Sequence, residues 1–383
     1  MYISKPQFPS LVPARIAEEV TARDEAIFRR ISSISLSPEQ EKQLCAPPDV
    51  YPLQREVLAV HWHPEFVPIR LAVKRMEIMF PNRTQELVIP TQHNALLAHH
   101  GFSGVEVDCY SRSFNQKVQL LLHFSEHKAH KASALQSMLE HTRKYRSSQL
   151  FDLMRTFTKP VQERLQAAAR VTGADADLIR FVTVHVRKLE ILVEDNLQEL
   201  PLDVLKNKMV RNYFHALRPV FGHQLIDRAL NFLQEVKKEV KQDFPLQYFF
   251  RTSEIIEEAR GLGAGIVVPH PEQFWPILLA EYDVDGYEVW NPQSRRYTDF
   301  LIGVVMRKNR EHPASKRTLL IFMGDDTHMG EKIRDEKEAD PSKAHREVGY
   351  QPAWDDRAVR RLLFQNDISR GAVISEYKAR LQA

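Results

Sequence analysis

The feature that most constrains this chain is a set of short apolar runs, each of which stops at a polar residue. The clearest examples are Val57–Val60 before His61, Val118–Leu122 before His123, and Ile266–Pro269 before His270. Runs of this length, rich in β-branched residues, predict buried strands. Because the pattern repeats from strand to strand, we expect the polar residues to meet at one shared edge of a sheet.

A long segment of different character separates two groups of predicted strands. Residues 129–245 contain only two glycines, and their apolar residues recur at three- and four-residue spacing, as in Leu178, Phe181 and Val182. This spacing predicts a block of amphipathic helices. Strands that alternate with helical patterns predict an α/β fold with parallel pairing.

These changes in residue pattern along the chain predict its domain organisation. We expect an N-terminal extension over 1–50, a discontinuous barrel over 51–128 and 246–345, a helical insertion over 129–245, and a C-terminal helical tail over 346–383. The segment 331–352 is charged and poor in apolar residues, which predicts a loop.

Composition excludes several classes of protein. The 383 residues are 43% hydrophobic and 27% charged, as in a globular chain that buries a core, and the net charge of +3 is too small to argue for nucleic acid. Two cysteines exclude a disulfide framework. The sequence shows no apolar run long enough to span a membrane and no secretion signal at its start, so the expected location is the cytoplasm.

Histidine is the unusual residue, with 16 copies. On a strand, His61 and His63 would point to the same side and could reach one metal ion. The other candidate ligands lie at or just after apolar runs: His93, Glu106, His123, His270, Asp326 and His328. Eight ligands exceed one tetrahedral site, so the sequence predicts two or three divalent ions, with zinc, manganese or iron suited to these groups.

In their order along the chain, these pieces resemble the PHP (polymerase and histidinol phosphatase) family. The pieces are His-x-His, Thr-x-His-Asn, Gly-x-Glu-Val, Leu-His, Val-x-His-Pro, Asp-Gly-x-Glu-Val-x-Asn and Gly-Asp-Asp-x-His, within residues 55–128 and 260–330. The resemblance implies a distorted (β/α)7 TIM-like barrel, carrying here a large helical insertion and N- and C-terminal extensions. It also implies metals at the C-terminal mouth of the barrel and hydrolysis of phosphate esters.

The resemblance further implies a role for each candidate residue. It gives His61, His63 and Asp326 to one metal, Glu106 to a bridge, His123 and His270 to a second metal, His93 to a third, and His328 to a ligand or proton donor. His270, His328 and Asp326 would take part in the reaction. Two positions depart from the family pattern: the stretch after His63 lacks Ser-Asp-Gly and carries Glu65, and Gln92 stands where an Asp precedes the motif histidine.

The expected function is metal-dependent hydrolysis of a phosphomonoester or of a nucleotide or oligonucleotide diester. The partner would then be a phosphorylated small molecule or a nucleotide. One alternative is a non-catalytic metal-binding module that binds a partner or nucleic acid, and another is an amidohydrolase-like metal hydrolase. Arg112, Lys128, Arg295 and Arg296 lie near motif residues in the sequence, but the pattern selects none of them as a phosphate ligand.

Overall fold

The computed structural model describes residues 12–201, 204–311, 317–333 and 341–383, without the side chains of Pro341 and Ser342. Residues 1–11 of the predicted extension and residues 334–340 of the predicted loop lie outside the described residues. The chain divides into two compact units, with the boundary after Thr142. We call residues 1–33 and 143–245 the helical unit, and residues 34–142 and 246–383 the sheet unit.

The described residues contain both helices and strands, so the fold is mixed α/β. The strands are β1 Glu56–Ala59, β2 Trp62–His63, β3 Gln85–Val88, β4 Leu97–His99, β5 Phe102–Ser111, β6 Gln116–Ser125, β7 Gly265–Val268, β8 Gly286–Trp290, β9 Leu320–Met323 and β10 Thr327–His328. The α-helices are α1 Ala22–Ser32, α2 Pro38–Leu44, α3 Ile69–Met79, α4 Glu126–Ala129, α5 Ser133–Thr158, α6 Gln162–Thr172, α7 Ala176–Asp195, α8 Lys208–Ala216, α9 Arg218–Phe221, α10 His223–Gln242, α11 Thr252–Gly261, α12 Thr298–Glu311, α13 Pro341–Ala344, α14 Arg357–Phe364 and α15 Arg370–Gln382.

The helical unit contains the helices that the apolar spacing predicts. Helix α7 begins where the Asp175 carboxylate accepts a hydrogen bond from the Leu178 backbone amide at 2.8 Å, because the first amides of a helix lack partners within it. One face of α7 is buried in an apolar core. Within that core, the Asp24 carboxylate accepts from the Lys188 ammonium and from the Tyr213 hydroxyl, each at 2.9 Å.

The strands of the sheet unit pair in three groups. Strands β1 and β3 pair in parallel, β2 and β10 pair in parallel, and six strands form a sheet in the order β4-β5-β6-β7-β8-β9. These pairings do not close into a barrel. Apolar side chains of the sheet pack against α11, α12 and α15 in one core, and α3 packs with β1 in a second.

Strand direction within the larger sheet differs in part from the parallel pairing that the sequence predicts. The pairs β7–β8 and β8–β9 are parallel, whereas the pairs β4–β5, β5–β6 and β6–β7 are antiparallel. The reason is a tight hairpin: β5 and β6 are joined by a short turn that ends at Asn115 in the left-handed region, φ 48°. A hairpin turn of this length can connect only antiparallel strands. The last residues of β6 therefore lie beside the first residues of β7.

Among the helices of the described ranges, none is both long enough and apolar enough to cross a bilayer.

Candidate metal centre

Two short paired strands, β2 and β10, position the first histidines of the site. His61 follows β1, and His63 lies on β2, whose partner β10 places His328 directly opposite His63. The rings of His63 and His328 stack with their centroids 4.4 Å apart, and the His63 ring also stacks on His93 at 4.3 Å. Three imidazoles from three segments of the chain are thus brought together by the strand pairing.

Glu106 on β5 brings a carboxylate to these imidazoles. An isolated parallel bridge aligns His93 with Glu106, and His93 Nδ1 lies 2.5 Å from Glu106 Oε2. His63 Nε2 lies 3.5 Å from the same oxygen, and His270 Nε2 lies 3.7 Å from Oε1. Glu106 therefore faces three imidazoles, and its bridging role stays a prediction.

Asp326 is the second carboxylate of the cluster. Its Oδ1 lies 3.6 Å from His61 Nε2, 3.3 Å from His63 Nε2 and 3.5 Å from His328 Nε2. Its Oδ2 accepts a hydrogen bond from Arg346. The arginine holds one carboxylate oxygen and leaves the other facing the imidazoles.

These side chains form three overlapping groups that could hold metal ions: His63, His93 and His328; His61, Glu106 and His270; and His61, His63 and Asp326. Within each group the ligand atoms lie within 4.8 Å of one another. Nitrogen and oxygen ligands lie roughly 2.0–2.2 Å from zinc, so ligand atoms around one ion are separated by up to about 4.4 Å. Small movements of the side chains would therefore bring the ligand atoms of a group to the distances that metal coordination requires.

The polar atoms of the cluster also fit a bound cation. His61 Nε2, both ring nitrogens of His63, and His270 Nδ1 are buried without a hydrogen-bond partner among the described residues. A buried polar atom without a partner costs about 1–3 kcal/mol, so several in one place call for a ligand that satisfies them. Imidazole and carboxylate donors suit zinc, manganese and iron.

Electrostatics within the cluster keep its carboxylates ionised. Burial alone would raise the pKa of Glu106, but the imidazoles of His93, His270 and His63 hold it well below its usual range. Burial likewise opposes ionisation of Asp326, and His328, His63 and His61 hold its pKa well below the usual range. Ionised carboxylates beside imidazoles form the charge pattern that a divalent cation needs.

Glu288 on β8 orients two of the candidate ligands. Its Oε1 lies 2.6 Å from His61 Nδ1, and its Oε2 accepts from the His270 backbone amide at 3.0 Å. Burial alone would lower the pKa of His61, but Glu288, with Asp326 and Glu106 beyond it, raises that pKa to about 10. If a metal binds at Nε2, this contact would keep the remaining proton of His61 on Nδ1, as in carboxylate–histidine–metal arrangements.

Four of the seven non-glycine residues with positive φ in the described part of the chain lie around the cluster. Glu65, Asn94, His270 and Asp326 adopt positive φ values of 56°, 51°, 27° and 47°. Residues other than glycine avoid this region, at a cost of about 1–3 kcal/mol each, and such strain tends to collect at functional sites. Two of the four, His270 and Asp326, belong to the candidate ligand groups.

Glu65 and Gln92, the two departures from the family pattern, both contact the site. Glu65 Oε1 lies 3.2 Å from His328 Nδ1, and Oε2 accepts from the Gly330 amide at 3.0 Å. Gln92 accepts from the Glu65 amide at 3.0 Å through its side-chain oxygen. Glu65 therefore orients His328 in the way that Glu288 orients His61.

His123 is the predicted ligand that the structure places apart from the cluster. Its Nε2 donates to the Val60 carbonyl at 2.9 Å, so Nδ1 is left to accept from the Tyr377 hydroxyl at 2.7 Å. Burial lowers its pKa to about 3, which keeps the ring neutral. Both nitrogens are occupied, and the antiparallel direction of β6 pairs His123 with the first residue of β7, Gly265. The other seven predicted residues lie in the cluster.

The cluster opens into a cleft of about 500 Å³. Its lining combines cluster residues with the amides of Gln119, Gln273 and Gln293 and the ammonium of Lys343. A larger cavity of about 1060 Å³ lies beside the start of β7 and contains none of the cluster residues. The charged groups there pair with one another: Asp285, for example, accepts from Arg260 at 2.6 Å. The smaller cleft is therefore the candidate reaction site.

Comparisons with known proteins give little beyond this geometry. No protein-family model matches the sequence, and no curated protein matches it. Among solved structures, a similar chain comes from Bifidobacterium adolescentis and is provisionally named a metal-dependent phosphoesterase. It is 16% identical, the match covers 82% of this chain and 98% of that one, and the TM-score is 0.40. At that level of similarity the function must be argued from the side chains of this chain alone.

Proposed function

We propose that this chain is a metal-dependent hydrolase of phosphate esters. The observation that carries the proposal is the convergence of candidate ligand groups, because the group of His63, His93 and His328 and the group of His61, Glu106 and His270 have no member in common. Two such groups in one cluster would place two ions side by side, and paired ions are typical of phosphoryl-transfer sites. Glu106 and Asp326 would contribute the carboxylates that such a centre needs.

The strand pairs support a distorted (β/α)7 barrel of the PHP type as the scaffold. β3 continues toward His93, which bridges to β5, and β5 to β9 are consecutive neighbours in the large sheet. β9 is followed closely by β10, which pairs with β2, and β2 is separated from β1 only by Val60 and His61. Strand β1 in turn pairs with β3. This path includes the seven strands β1, β3, β5, β6, β7, β8 and β9. It is joined in places by chain connections and by the isolated bridge between His93 and Glu106, because the strand pairings alone do not close into a barrel.

The residues of the three groups would hold the ions, with zinc, manganese or iron as the best-suited metals. When bound, divalent cations supply an activated water at neutral pH and offset negative charge on phosphate oxygens. His270 and His328 line the cleft, where whichever of these imidazoles does not bind a metal could give a proton to the leaving oxygen. Asp326, held by Arg346, would fix the position of the imidazoles that face it.

The size and lining of the cleft support small substrates. A volume of about 500 Å³ suits a phosphorylated small molecule or a nucleotide. The three glutamine amides that line it can both donate and accept hydrogen bonds, as hydroxyl groups of a substrate would require.

A turnover screen with matched variants tests this proposal. The full chain, supplied with manganese or zinc, should release phosphate or alcohol from at least one member of a panel of phosphomonoesters and diesters. Asp326→Asn and His270→Ala should each lower turnover more than about 100-fold, the upper end of what changes beyond the direct ligands cause. His130→Ala changes an exposed histidine outside the cluster and should keep full turnover. Hydrolysis of amides instead of phosphate esters, or metal binding without any turnover, would contradict the proposal.

A further inference from the structure

Lys343 is the permanently charged cation among the described residues that line the cleft. Its Nζ lies 3.4 Å from His328 Nε2, on the side of the cluster that opens to the cleft. The surrounding lining consists of imidazoles, glutamine amides and the carboxylates of Glu106 and Asp326. A phosphate dianion that enters this cleft would be repelled by those carboxylates unless cations offset them.

A buried ion cluster fixes the chain just after Lys343. Glu347 accepts from Arg75 Nε and Nη2, each at 2.7 Å, and from Lys332 Nζ at 2.7 Å. All three side chains are about 5% exposed. Lys332 Nζ also donates to the Ala344 carbonyl at 2.9 Å. The residue next to Lys343 is thus attached directly to this cluster, which restricts where the ammonium can go.

The same segment is joined to the loop that carries Asp326. Arg346 Nη1 donates to the Asp326 carbonyl at 2.9 Å as well as to its carboxylate. Asp325 accepts from the Gly349 amide at 3.0 Å and from Gln351 Nε2 at 3.2 Å. Residues 343–351 are therefore held against the candidate metal centre at several points.

We propose that Lys343 binds the phosphate group of the substrate, an assignment that rests on the proposed function. Lysine is a compact point charge that binds phosphate through any of its three donors. Arg346 is buried and already engaged by Asp326, so Lys343 is the cation of this segment that faces the cleft. Of the four cations near motif residues in the sequence, none lines this cleft, and Lys128 donates to the Leu381 carbonyl instead.

The test measures binding of inorganic phosphate to the manganese-loaded full chain by titration calorimetry. Lys343→Met should weaken the phosphate Kd about 10- to 100-fold, the range expected for losing one charge-assisted hydrogen bond. Lys343→Arg should recover part of this loss, because it restores the charge. Lys74→Met, a change of a lysine on α3 outside the cleft, is the matched control and should leave the Kd unchanged. Bound manganese per chain should be the same in all four proteins.

An unchanged phosphate Kd in Lys343→Met would overturn the assignment. If that variant also bound manganese more tightly, the ammonium would be a stand-in for a metal ion. The experiment distinguishes a failure of the Lys343 assignment from a failure of the proposed hydrolase function. A chain that binds phosphate through Lys343 but hydrolyses no ester refutes hydrolysis alone, whereas hydrolysis with an unchanged Kd refutes the role of Lys343 alone.

Discussion

Changing Glu288 to Gln should weaken metal binding without touching any direct ligand. The carboxylate holds His61 through Nδ1 at 2.6 Å and the His270 backbone amide at 3.0 Å. Gln keeps an acceptor but loses the charge. A hydrogen bond to a charged group contributes about 1.5–3 kcal/mol and a neutral one about 0.5–1.5. The difference of about 1–2 kcal/mol corresponds to roughly a 5- to 30-fold loss of affinity, at one factor of ten per 1.4 kcal/mol.

The loss should be confined to part of the centre. Two of the three candidate groups contain His61, whereas the group of His63, His93 and His328 does not. Competition with a chromogenic chelator should therefore show weakened binding at the site that uses His61 and unaltered binding at the site of His63, His93 and His328. Affinities within about threefold of wild type at every site, below the 5-fold lower bound, would refute the idea that Glu288 orients the ligands.

A glycine next to Glu288 offers an independent check of the same contact. A Cβ at Gly324 would overlap the Glu288 carboxylate, so Gly324→Ala should displace that carboxylate and reproduce the weakened binding of Glu288→Gln. A methyl group added at Gly303, an exposed position of α12, would meet nothing within 4 Å, so Gly303→Ala is the matched control. That control should bind metal normally and gain about 0.5–1 kcal/mol of stability, as expected for Gly→Ala within a helix. Normal metal binding by Gly324→Ala would contradict the account of Glu288.

Two further predictions concern residues outside the cluster. His123→Ala should keep the wild-type metal content but lower the free energy of unfolding by about 2–4 kcal/mol, because it leaves a cavity and two buried polar groups unpaired; loss of metal would restore His123 as a ligand. Asp24→Ala should cost about 3–5 kcal/mol in urea unfolding because Lys188 stays buried without its partner, whereas exposed Asp227→Ala should change stability by less than about 0.5 kcal/mol. Partners at Lys188, Thr21 and Tyr213 overcome the effect of burial and lower the pKa of Asp24 from 3.8 to about 2. The folded-state pKa is depressed, so this stabilisation is present above pH 3.8 and lost as the pH falls through 2. The same fall in unfolding free energy over this pH range in the Asp24→Ala chain would contradict the assignment.

Much of the candidate site could be predicted from the sequence because local rules determine it. A polar residue after a buried strand lies at the end of that strand whatever the rest of the chain does, and His61, His63 and His270 meet for this reason. The helices of residues 143–245 could also be predicted from the sequence, because the spacing of their apolar residues defines the face that each helix buries.

Other features depend on contacts between distant segments. His123 follows an apolar run just as His270 does. A short hairpin reverses the direction of β6, however, so His123 lies beside the start of β7 and not beside its end. Lys343 and Arg346 lie in a segment whose low apolar content predicted only a loop, and nothing local signals that Arg346 reaches Asp326. The one available signal was the density of charge in that segment, which fits a buried ion cluster around Glu347 as well as an exposed surface.

The central claim is that the clustered histidines and carboxylates bind metal ions together. The most direct measurement is elemental analysis of the full chain, purified without chelator and then reloaded with manganese or zinc, beside an Asp326→Asn and His270→Ala double variant. The account predicts two or three ions per wild-type chain and fewer in the variant. No bound metal after reloading, or equal metal content in both proteins, would contradict it.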